Sequence, residues 1–310
     1  MALQIRGISK TYSNGVQALK DVTLTIPVGM YGLLGPNGAG KSTLMRILAT
    51  LQEPDSGSAM LSDPSLRSGQ VDVLRQKDDV RRTLGYLPQE FGVYPNVSAE
   101  RLLEHFAVLK GIIDRRERRE IVDALLRQTN LYDVRKKKLG GYSGGMRQRF
   151  GVAVALLGDP RLIIVDEPTA GLDPAERVRF LNLLSGLGDN TVVILSTHIV
   201  EDVSELCNRM AIIDRGKILL EAEPQRAVAE LRGRIWRRII PRTDLESVER
   251  EHAVISTKLL GGRTVVHVYS DVPPGAGFDS VEADLEDVYF STMAGHFGRP
   301  SQQPVLEVAS

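Results

Sequence analysis

The sequence has little of what marks secreted, membrane-spanning or strongly charged proteins. Its single cysteine, Cys207, excludes an internal disulfide framework and is typical of a reducing compartment. Acidic and basic residues balance at 39 each, so no net charge argues for nucleic acid or an anionic membrane as a partner. The longest apolar stretches, such as 151–158 and 162–165, are far shorter than the roughly 20 residues that a membrane-spanning helix needs. If a membrane is involved, another chain should cross it.

The length of the chain favours two folded units. Its 310 residues, of which 42% are hydrophobic, can bury a full core and are somewhat many for one domain. We therefore expect one large and one small unit. Residues 1–6 have no basic region followed by an apolar stretch, so we expect no signal peptide.

The N-terminal pattern predicts a hairpin followed by a strand, a loop and a helix. Residues 3–8 and 18–26 alternate apolar and polar positions around the turn signal Asn14-Gly15, which favours two antiparallel strands. A short apolar strand over 30–34 then leads into a glycine-rich stretch. Helical spacing follows over 42–51, with Leu44, Ile47, Leu48 and Leu51 on one face.

The middle of the chain changes from an irregular segment to helices. Residues 61–82 are polar, charged and without a clear period, which predicts a surface excursion, and 83–87 is a strand candidate. Helix candidates then run over 99–110, 115–128 and 144–157.

Strands and helices alternate in the next part of the chain. Buried-strand runs at 162–165 and 191–195 are separated by a helix candidate around 175–184, and 210–213 with 217–220 reads as a closing hairpin. This alternation favours an α/β fold with a parallel sheet.

The C-terminal part predicts a small accessory domain after a boundary near Pro224. A short helix, strand-like segments at 235–240 and 264–269, and an amphipathic helix over 282–293 make up this α+β unit. We expect the last residues, 298–310, to form a loose tail.

A glycine-rich stretch at 35–43 fits the phosphate-binding pattern G-x-x-x-x-G-K-[ST] and lies between a predicted strand and a predicted helix. Its backbone N–H groups and the helix N-terminus favour phosphate oxygens, Lys41 adds a point charge, and Ser42 is predicted to ligate Mg²⁺. The alternative is a glycine turn with an incidental lysine. The predicted phosphate-binding residues are Gly35, Pro36, Asn37, Gly38, Ala39, Gly40, Lys41, Ser42 and Thr43.

Two carboxylates end the apolar strand at 162–165. Asp166 and Glu167 should therefore lie at the carboxyl edge of a parallel sheet, where ligands bind. Asp166 is predicted to face Mg²⁺, through water, and Glu167 to orient or deprotonate the water that attacks the γ-phosphate. A solvated strand end is the alternative when the pair is taken alone.

A second anion site is predicted at the start of the helix candidate over 144–157. Ser143 is a good N-cap, and Gly144 and Gly145 expose backbone N–H groups. The alternative is a capped helix after a glycine turn. Two predicted phosphate-binding loops in one chain require an explanation.

The three motifs, in this order and spacing, resemble the ABC ATPase family over roughly residues 2–221. The resemblance implies an ABC ATPase core, in which a P-loop NTPase parallel sheet is joined by an antiparallel β subdomain and a helical subdomain at about 90–158. The implied domains are 1–222 for the ATPase and 223–297 for the accessory domain. ATP and Mg²⁺ are the implied cofactors, and the implied reaction is ATP hydrolysis.

Further site residues follow from the resemblance alone. Tyr12 stands where the family places an aromatic that stacks on adenine, although Tyr31 also lies near the loop. Gln89 matches the glutamine that contacts Mg²⁺ and couples to the membrane partner. Asp173 lies in the loop after the acidic strand end, and His198 matches the histidine that contacts the γ-phosphate. Each has an ordinary alternative: a strand aromatic, a polar loop residue, an N-cap and a capping or core histidine.

The signature at 142–146 departs from the commonest family form, with Tyr142 in place of leucine and Met146 in place of glutamine. Ser143 and both glycines are retained, so we expect activity. In the mechanism that the resemblance implies, two subunits face each other head to tail. Each ATP then lies between one phosphate loop and the partner's 143–145 loop, and hydrolysis moves separate membrane domains.

Two segments, 284–290 near the C-terminus and 91–96, are similar to segments of bacterial ABC exporters with a separate permease, including those for drugs and antibiotics. The implied partners are a second copy of the chain and a permease, at the cytoplasmic face of the membrane. A soluble ABC ATPase acting on ribosomes or DNA and an ATP sensor without turnover are the alternatives. The basic runs at 115–119 and 135–138 could bind nucleic acid or lipid head groups, but they lie beside acidic residues, which favours solvated faces. We expect no nucleic-acid partner.

Overall fold

The computed structural model describes residues 1–63, 69–89, 92, 94–187 and 190–297. The chain divides into two compact units, Met1–Lys217 and Ile218–Ser310. Over these described ranges, no helix is both long enough and apolar enough to cross a membrane. The predicted tail at 298–310 lies outside the described residues.

The first unit mixes strands and helices along the chain. Its strands are β1 (Ala2–Thr11), β2 (Gln17–Pro27), β3 (Gly29–Leu34), β4 (Ser56–Ser62), β5 (Gln70–Asp72), β6 (Leu84–Leu87), β7 (Leu162–Asp166), β8 (Val192–Thr197) and β9 (Arg209–Asp214). The last residue of this unit, Lys217, is also the first residue of β10 (Lys217–Ala222). Its helices are α1 (Lys41–Leu48), α2 (Lys77–Thr83), α3 (Ala99–Leu109), α4 (Arg115–Gln128), α5 (Gly144–Ala155), α6 (Pro174–Ser185) and α7 (Val200–Leu206). The second unit contains α8 (Pro224–Glu230), β11 (Ile235–Ile240), α9 (Leu245–Glu251), β12 (Val254–Leu260), β13 (Arg263–Tyr269), β14 (Asp279–Ser280) and α10 (Leu285–Met293).

The predicted N-terminal hairpin is confirmed, and it belongs to a sheet of order β2-β1-β4-β5. Leu3 pairs with Ile26 across the two strands, and both side chains are buried, as the alternating pattern requires. At the turn, Gly15 donates its backbone N–H to the carbonyl of Tyr12 at 2.9 Å. This turn keeps Tyr12 at the end of β1.

A predominantly parallel sheet forms the centre of the first unit, in the order β9-β3-β8-β7-β6. Every residue of β7 and β8 is buried, which explains why these strands read as continuous apolar runs. In this order, β3 lies beside β8 and β8 beside β7, so the carboxyl ends of strands that are far apart in the chain meet at one edge.

The three predicted helices over 99–157 are confirmed as α3, α4 and α5. Ser98 caps α3 and Asp114 caps α4 through side-chain oxygens, which explains where these helices begin. Their apolar faces meet in a cluster around Leu103, Leu126 and Phe150, each fully buried. This cluster carries the start of α5, where the second anion site is predicted.

Two predictions in the first unit are wrong. The described part of 61–82 is not an irregular excursion, because β5 pairs with β4, α2 follows, and Val71 and Val80 are buried. A three-residue strand is too short to show an alternating pattern; residues 64–68 lie outside the described ranges. The helix predicted over 42–51 ends at Leu48, since Thr50 has a left-handed backbone (φ 62°) and Leu51 is 63% exposed.

The second unit is built around an antiparallel sheet of order β12-β13-β11-β14. The strand-like segments predicted at 235–240 and 264–269 are confirmed as β11 and β13, whereas β12 and α9 were not predicted. The helix predicted from residue 282 begins at Leu285, because Asp284 and Asp287 form a reciprocal capping box. Leu259 and Leu260 are largely exposed, so β12 lacks the one-sided pattern that would have identified it.

Candidate functional site

The phosphate loop joins β3 to α1, and its path requires glycine. Gly38 and Gly40 have positive φ angles of 81° and 108°. A Cβ atom at Gly40 would lie 2.5 Å from the carbonyl oxygen of Ala18, and one at Gly35 would lie 2.2 Å from that of Ile213. The glycines therefore allow a tight loop whose backbone can approach a ligand.

Lys41 is the first residue of α1, and its side chain is held inside the loop. The ammonium group donates to the carbonyls of Gly35 at 2.7 Å and Pro36 at 3.1 Å. It also lies 3.2 Å from Oε1 of Glu167, and both side chains are only 5% exposed. The predicted phosphate-binding lysine and the predicted catalytic carboxylate are thus direct neighbours.

Asp166 and Ser42 form the predicted metal-binding part of the site. Burial raises the pKa of Asp166 above its ordinary value, and a hydrogen bond with the Ser42 hydroxyl opposes this rise. Within the described part of the chain, Oδ1 of Asp166 is buried and has no hydrogen-bond partner. A carboxylate oxygen beside a hydroxyl is a donor set that suits Mg²⁺. These residues fit the metal.

Glu167 connects the ends of two neighbouring strands. Its Oε2 lies 2.5 Å from Nδ1 of His198, whose side chain is 44% exposed. The backbone N–H of Glu167 donates to the carbonyl of Ser196 at 2.8 Å. Glu167 also has a left-handed backbone (φ 50°), which is costly for a residue other than glycine and recurs at functional sites. One carboxylate therefore contacts both Lys41 and His198.

A cavity of about 630 Å³ lies beside these groups. Predicted site residues that line it are Tyr12, Asn37, Gly38, Gly40, Lys41, Ser42, Thr43, Gln89 and Glu167. Tyr12 is 37% exposed, and its hydroxyl lies 3.0 Å from Oγ1 of Thr43, whereas Tyr31 is 1% exposed within β3. The open tyrosine beside the cavity is therefore Tyr12. In the segment 91–96, residues 91 and 93 lie outside the described ranges.

Five lining residues were not predicted: Val16, Gln17, Ala18, Lys20 and Arg215. The first four follow Tyr12 around the hairpin, so their proximity to the tyrosine that is predicted to stack on adenine was a usable signal. Arg215 is in the turn after β9, where Gly216 donates its N–H to the carbonyl of Ala39 at 2.9 Å. Nothing local in the sequence indicates that this turn reaches the phosphate loop.

The 143–145 loop, which is predicted to bind a second anion, is separate from this cavity. Among the described lining residues of the cavity there is no member of 143–145 and no Asp173. Ser143 caps α5 by accepting from the N–H of Met146 at 3.2 Å, and Asp173 caps α6 by accepting from that of Glu176 at 2.8 Å. Both cap alternatives are therefore correct descriptions of these side chains, which are also exposed.

The two signature departures point away from the loop. Tyr142 is 3% exposed, and its hydroxyl donates to the carbonyl of Val134 at 3.0 Å. Met146 packs against the apolar cluster of the helices. Gly144 has open space where a Cβ would be, whereas a Cβ at Gly145 would lie 2.4 Å from Oε2 of Glu176. The exposed part of the loop is thus Ser143 and Gly144.

Known proteins are similar to this chain in sequence and in fold. The ABC transporter family model matches residues 19–170. The chain is 35% identical to the uncharacterized ABC transporter ATP-binding protein YxlF of Bacillus subtilis, over 72% of this chain and 71% of that protein. It is 33% identical to the daunorubicin/doxorubicin resistance ATP-binding protein DrrA of Streptomyces peucetius, over 89% of this chain and 79% of that protein. A dimeric, post-hydrolysis structure of the ATP-binding cassette MJ0796, bound to ADP and Pi, superposes with a TM-score of 0.63 at 27% identity, covering 71% of this chain and 98% of that one.

Proposed function

The chain belongs to the family of ABC transporter ATP-binding proteins, and on this premise we propose that two copies hydrolyse ATP between them to drive a separate permease. Members of this family bind and hydrolyse ATP, so the chain is an ABC-type ATPase. The observation that carries the finer proposal is the position of Glu167, whose two carboxylate oxygens contact Lys41 and His198.

We propose Glu167 as the residue that orients and deprotonates the attacking water. It is buried at a sheet edge, and Lys41 lies 3.2 Å away to hold the terminal phosphates next to it. His198 lies 2.5 Å from the other oxygen and is exposed enough to reach the γ-phosphate. The loop N–H groups and the start of α1 bind the remaining phosphate oxygens.

Mg²⁺ would be held by Ser42 and Asp166, with Gln89 as a further oxygen ligand from the cavity wall. It would neutralise charge on the β- and γ-phosphates. Burial of Asp166 supports this role, because a buried carboxylate oxygen without a protein partner is stabilised by a cation. Tyr12 supplies the adenine-stacking surface at the other end of the cavity.

The 143–145 loop and Asp173 would serve the ATP that is bound to the partner subunit. Ser143 and Gly144 are exposed and lie outside their own chain's cavity. They stand at the N-terminus of a twelve-residue helix, where anions are favoured. A head-to-tail dimer gives these groups a phosphate to bind. The dimeric cassette MJ0796 supports this arrangement by similarity.

We further propose that the partner of the dimer is an exporter permease, at the cytoplasmic face of the membrane, for a drug, antibiotic or lipid-like substrate. The relative DrrA, matched over 89% of this chain, is named for resistance to daunorubicin and doxorubicin. The proposed domains are the ATPase at 1–222, with its helical subdomain at about 90–158, and the accessory domain at 223–297.

Replacement of Glu167 by glutamine tests the hydrolytic role. Glu167→Gln should keep ATP binding, measured by calorimetry, and reduce kcat to about 1% or less, because the amide cannot accept the proton. Glu120→Gln, an exposed change of the same kind on α4, is the matched control. An unchanged kcat for Glu167→Gln would refute the role.

The permease is tested by capturing the tagged chain from detergent-solubilised membranes of its source. A co-purifying multi-span protein is expected. Recovery of ribosomes or DNA-bound proteins, without a membrane protein, would instead support a soluble ABC ATPase.

A further inference from the structure

A buried acidic residue outside the proposed phosphate site carries an unusual number of partners. Asp202, in the first turn of α7, is 0% exposed. Its Oδ2 accepts from the hydroxyl of Thr169 at 2.5 Å and from that of Thr197 at 3.4 Å. A buried carboxylate persists only where such groups replace water, so this residue requires an explanation.

The two threonines place Asp202 between the strand ends of the site. Thr169 comes two residues after Glu167, and Thr197 directly precedes His198. The hydroxyl oxygen of Thr197 also accepts from the N–H of Ile199 at 3.0 Å, on the other side of His198. The carboxylate of Asp202 therefore joins the two chain segments that hold the 2.5 Å contact between Glu167 and His198.

Arg177 of α6 balances the buried charge. Its Nε and a terminal nitrogen both donate to Oδ1 of Asp202, at 2.9 and 2.7 Å. The arginine side chain is 28% exposed while the carboxylate is fully buried, so the pair has one end in solvent. This geometry rigidly fixes Oδ1 and leaves Oδ2 for the two threonines.

The segment that Thr169 anchors begins with a strained residue. Glu167 has a φ of 50°, a left-handed backbone that persists only where its surroundings hold it in place. On one side, its N–H bonds to the carbonyl of Ser196; on the other, the chain is held at Thr169 by Asp202.

We propose that Asp202, oriented by Arg177, is a positioning residue for ATP hydrolysis, which acts through Thr169 and Thr197 to hold Glu167 and His198 in their reactive arrangement. The proposal rests on the proposed roles of those two residues. Asp202 does not line the nucleotide cavity, so its effect is on the chemical step rather than on binding of ATP.

Replacement of Thr169 by valine tests the positioning role most directly, because valine has the shape of threonine without the hydroxyl. For Thr169→Val we expect kcat to fall about tenfold or more, since a small displacement of a reacting group is enough for such a loss. The KM for ATP should stay within about twofold of wild type. The melting temperature should fall by several degrees, because the buried carboxylate of Asp202 loses one hydroxyl donor. Thr169→Ser retains the hydroxyl and should recover most of the rate.

A second pair of variants tests the contact between Arg177 and Asp202. Arg177→Met should lower kcat and also the melting temperature, because it leaves Asp202 buried without its cation. Arg177→Lys keeps the charge and should restore part of both, since a single ammonium cannot reproduce two donors on one oxygen. Val178→Ala, at an exposed neighbour on α6, is the control and should keep the wild-type rate.

Parallel measurement of Glu167→Gln separates the two proposals. If Glu167→Gln abolishes hydrolysis while Thr169→Val retains the wild-type kcat, the positioning role is refuted and the proposed function stands. If Glu167→Gln hydrolyses normally, both are refuted. A fall in kcat for Thr169→Val that is matched by a large loss of thermal stability and is not rescued by serine refutes the positioning role as well, because it indicates a packing defect.

Discussion

The phosphate loop and the 143–145 loop are both helix starts that are predicted to bind anions, yet they differ in exposure. Lys41 is 5% exposed and is enclosed by two carbonyls and Glu167. Ser143 and Gly144 are exposed, and a Cβ at Gly144 would meet open space. One loop is enclosed by groups of its own chain, and the other is exposed. This difference in exposure is the reason why we propose that a single copy forms only part of the site.

The largest effect should come from the enclosed loop. Lys41→Met removes the charge next to the terminal phosphates and leaves Glu167 buried without its cation, so hydrolysis should fall at least about a hundredfold. ATP binding to the isolated chain should weaken too, as measured by calorimetry. Lys217→Met, an exposed lysine at the start of β10, should change neither. Wild-type ATP affinity in Lys41→Met would contradict the assignment of the loop.

A substitution in the exposed 143–145 loop should reduce hydrolysis without weakening ATP binding to the monomer. Gly144→Ala adds a methyl group that meets nothing in its own chain, so the melting temperature and the ATP affinity of the monomer should be unchanged. In the dimer, this methyl group would face the partner's phosphate, and we expect hydrolysis to fall about tenfold or more.

Gly145→Ala provides the contrast on the same loop. Its Cβ would meet the carboxylate of Glu176 within the chain, so this variant should lower the melting temperature. A Gly144→Ala enzyme with full activity would remove the reason to require a second copy at this loop.

A smaller effect is expected at Tyr12. Tyr12→Ala should weaken ATP binding by about 1–3 kcal/mol, roughly 5- to 150-fold in Kd, because the base loses its stacking surface. Tyr12→Phe removes only the hydroxyl contact with Thr43 and should bind almost as well as wild type. Equal affinities of Tyr12→Ala and wild type, by calorimetry, would show that adenine binds elsewhere.

The smallest effect should follow from restoring the common signature residue. Tyr142→Leu loses the hydroxyl bond to the Val134 carbonyl, so the free energy of unfolding should fall by about 1 kcal/mol. The buried side chain does not reach the exposed loop, and kcat should therefore remain within about twofold of wild type. A change in kcat without a change in stability would mean that residue 142 acts in the loop after all.

Much of the architecture was predictable, because local patterns carried it. The caps at Ser98, Asp114, Ser143 and Asp173 mark helix starts in the sequence, and each is made by its side chain in the structure. Short or exposed elements were not predictable: β5 has three residues, and β12 has exposed leucines at its end.

Local sequence patterns also could not predict part of the candidate site. Arg215 lines the cavity only because the turn at Gly216 hydrogen-bonds to Ala39, more than 170 residues earlier in the chain. Asp202 reads as an ordinary acidic residue in the first turn of a helix. Its partners Thr169 and Arg177 are 33 and 25 positions away, and no periodic signal connects such distances.

By itself, the sequence determined the glycines that permit the phosphate loop, the apolar runs of a buried parallel sheet, and the carboxylates that end one of its strands. These features depend on backbone freedom, burial and hydrogen bonding within a few residues. Only the tertiary structure decided that Glu167 lies 3.2 Å from Lys41 and 2.5 Å from His198. The strand order β3-β8-β7 brings these residues together, because neighbours in a parallel sheet are chosen by packing and crossover connections rather than by their order in the chain.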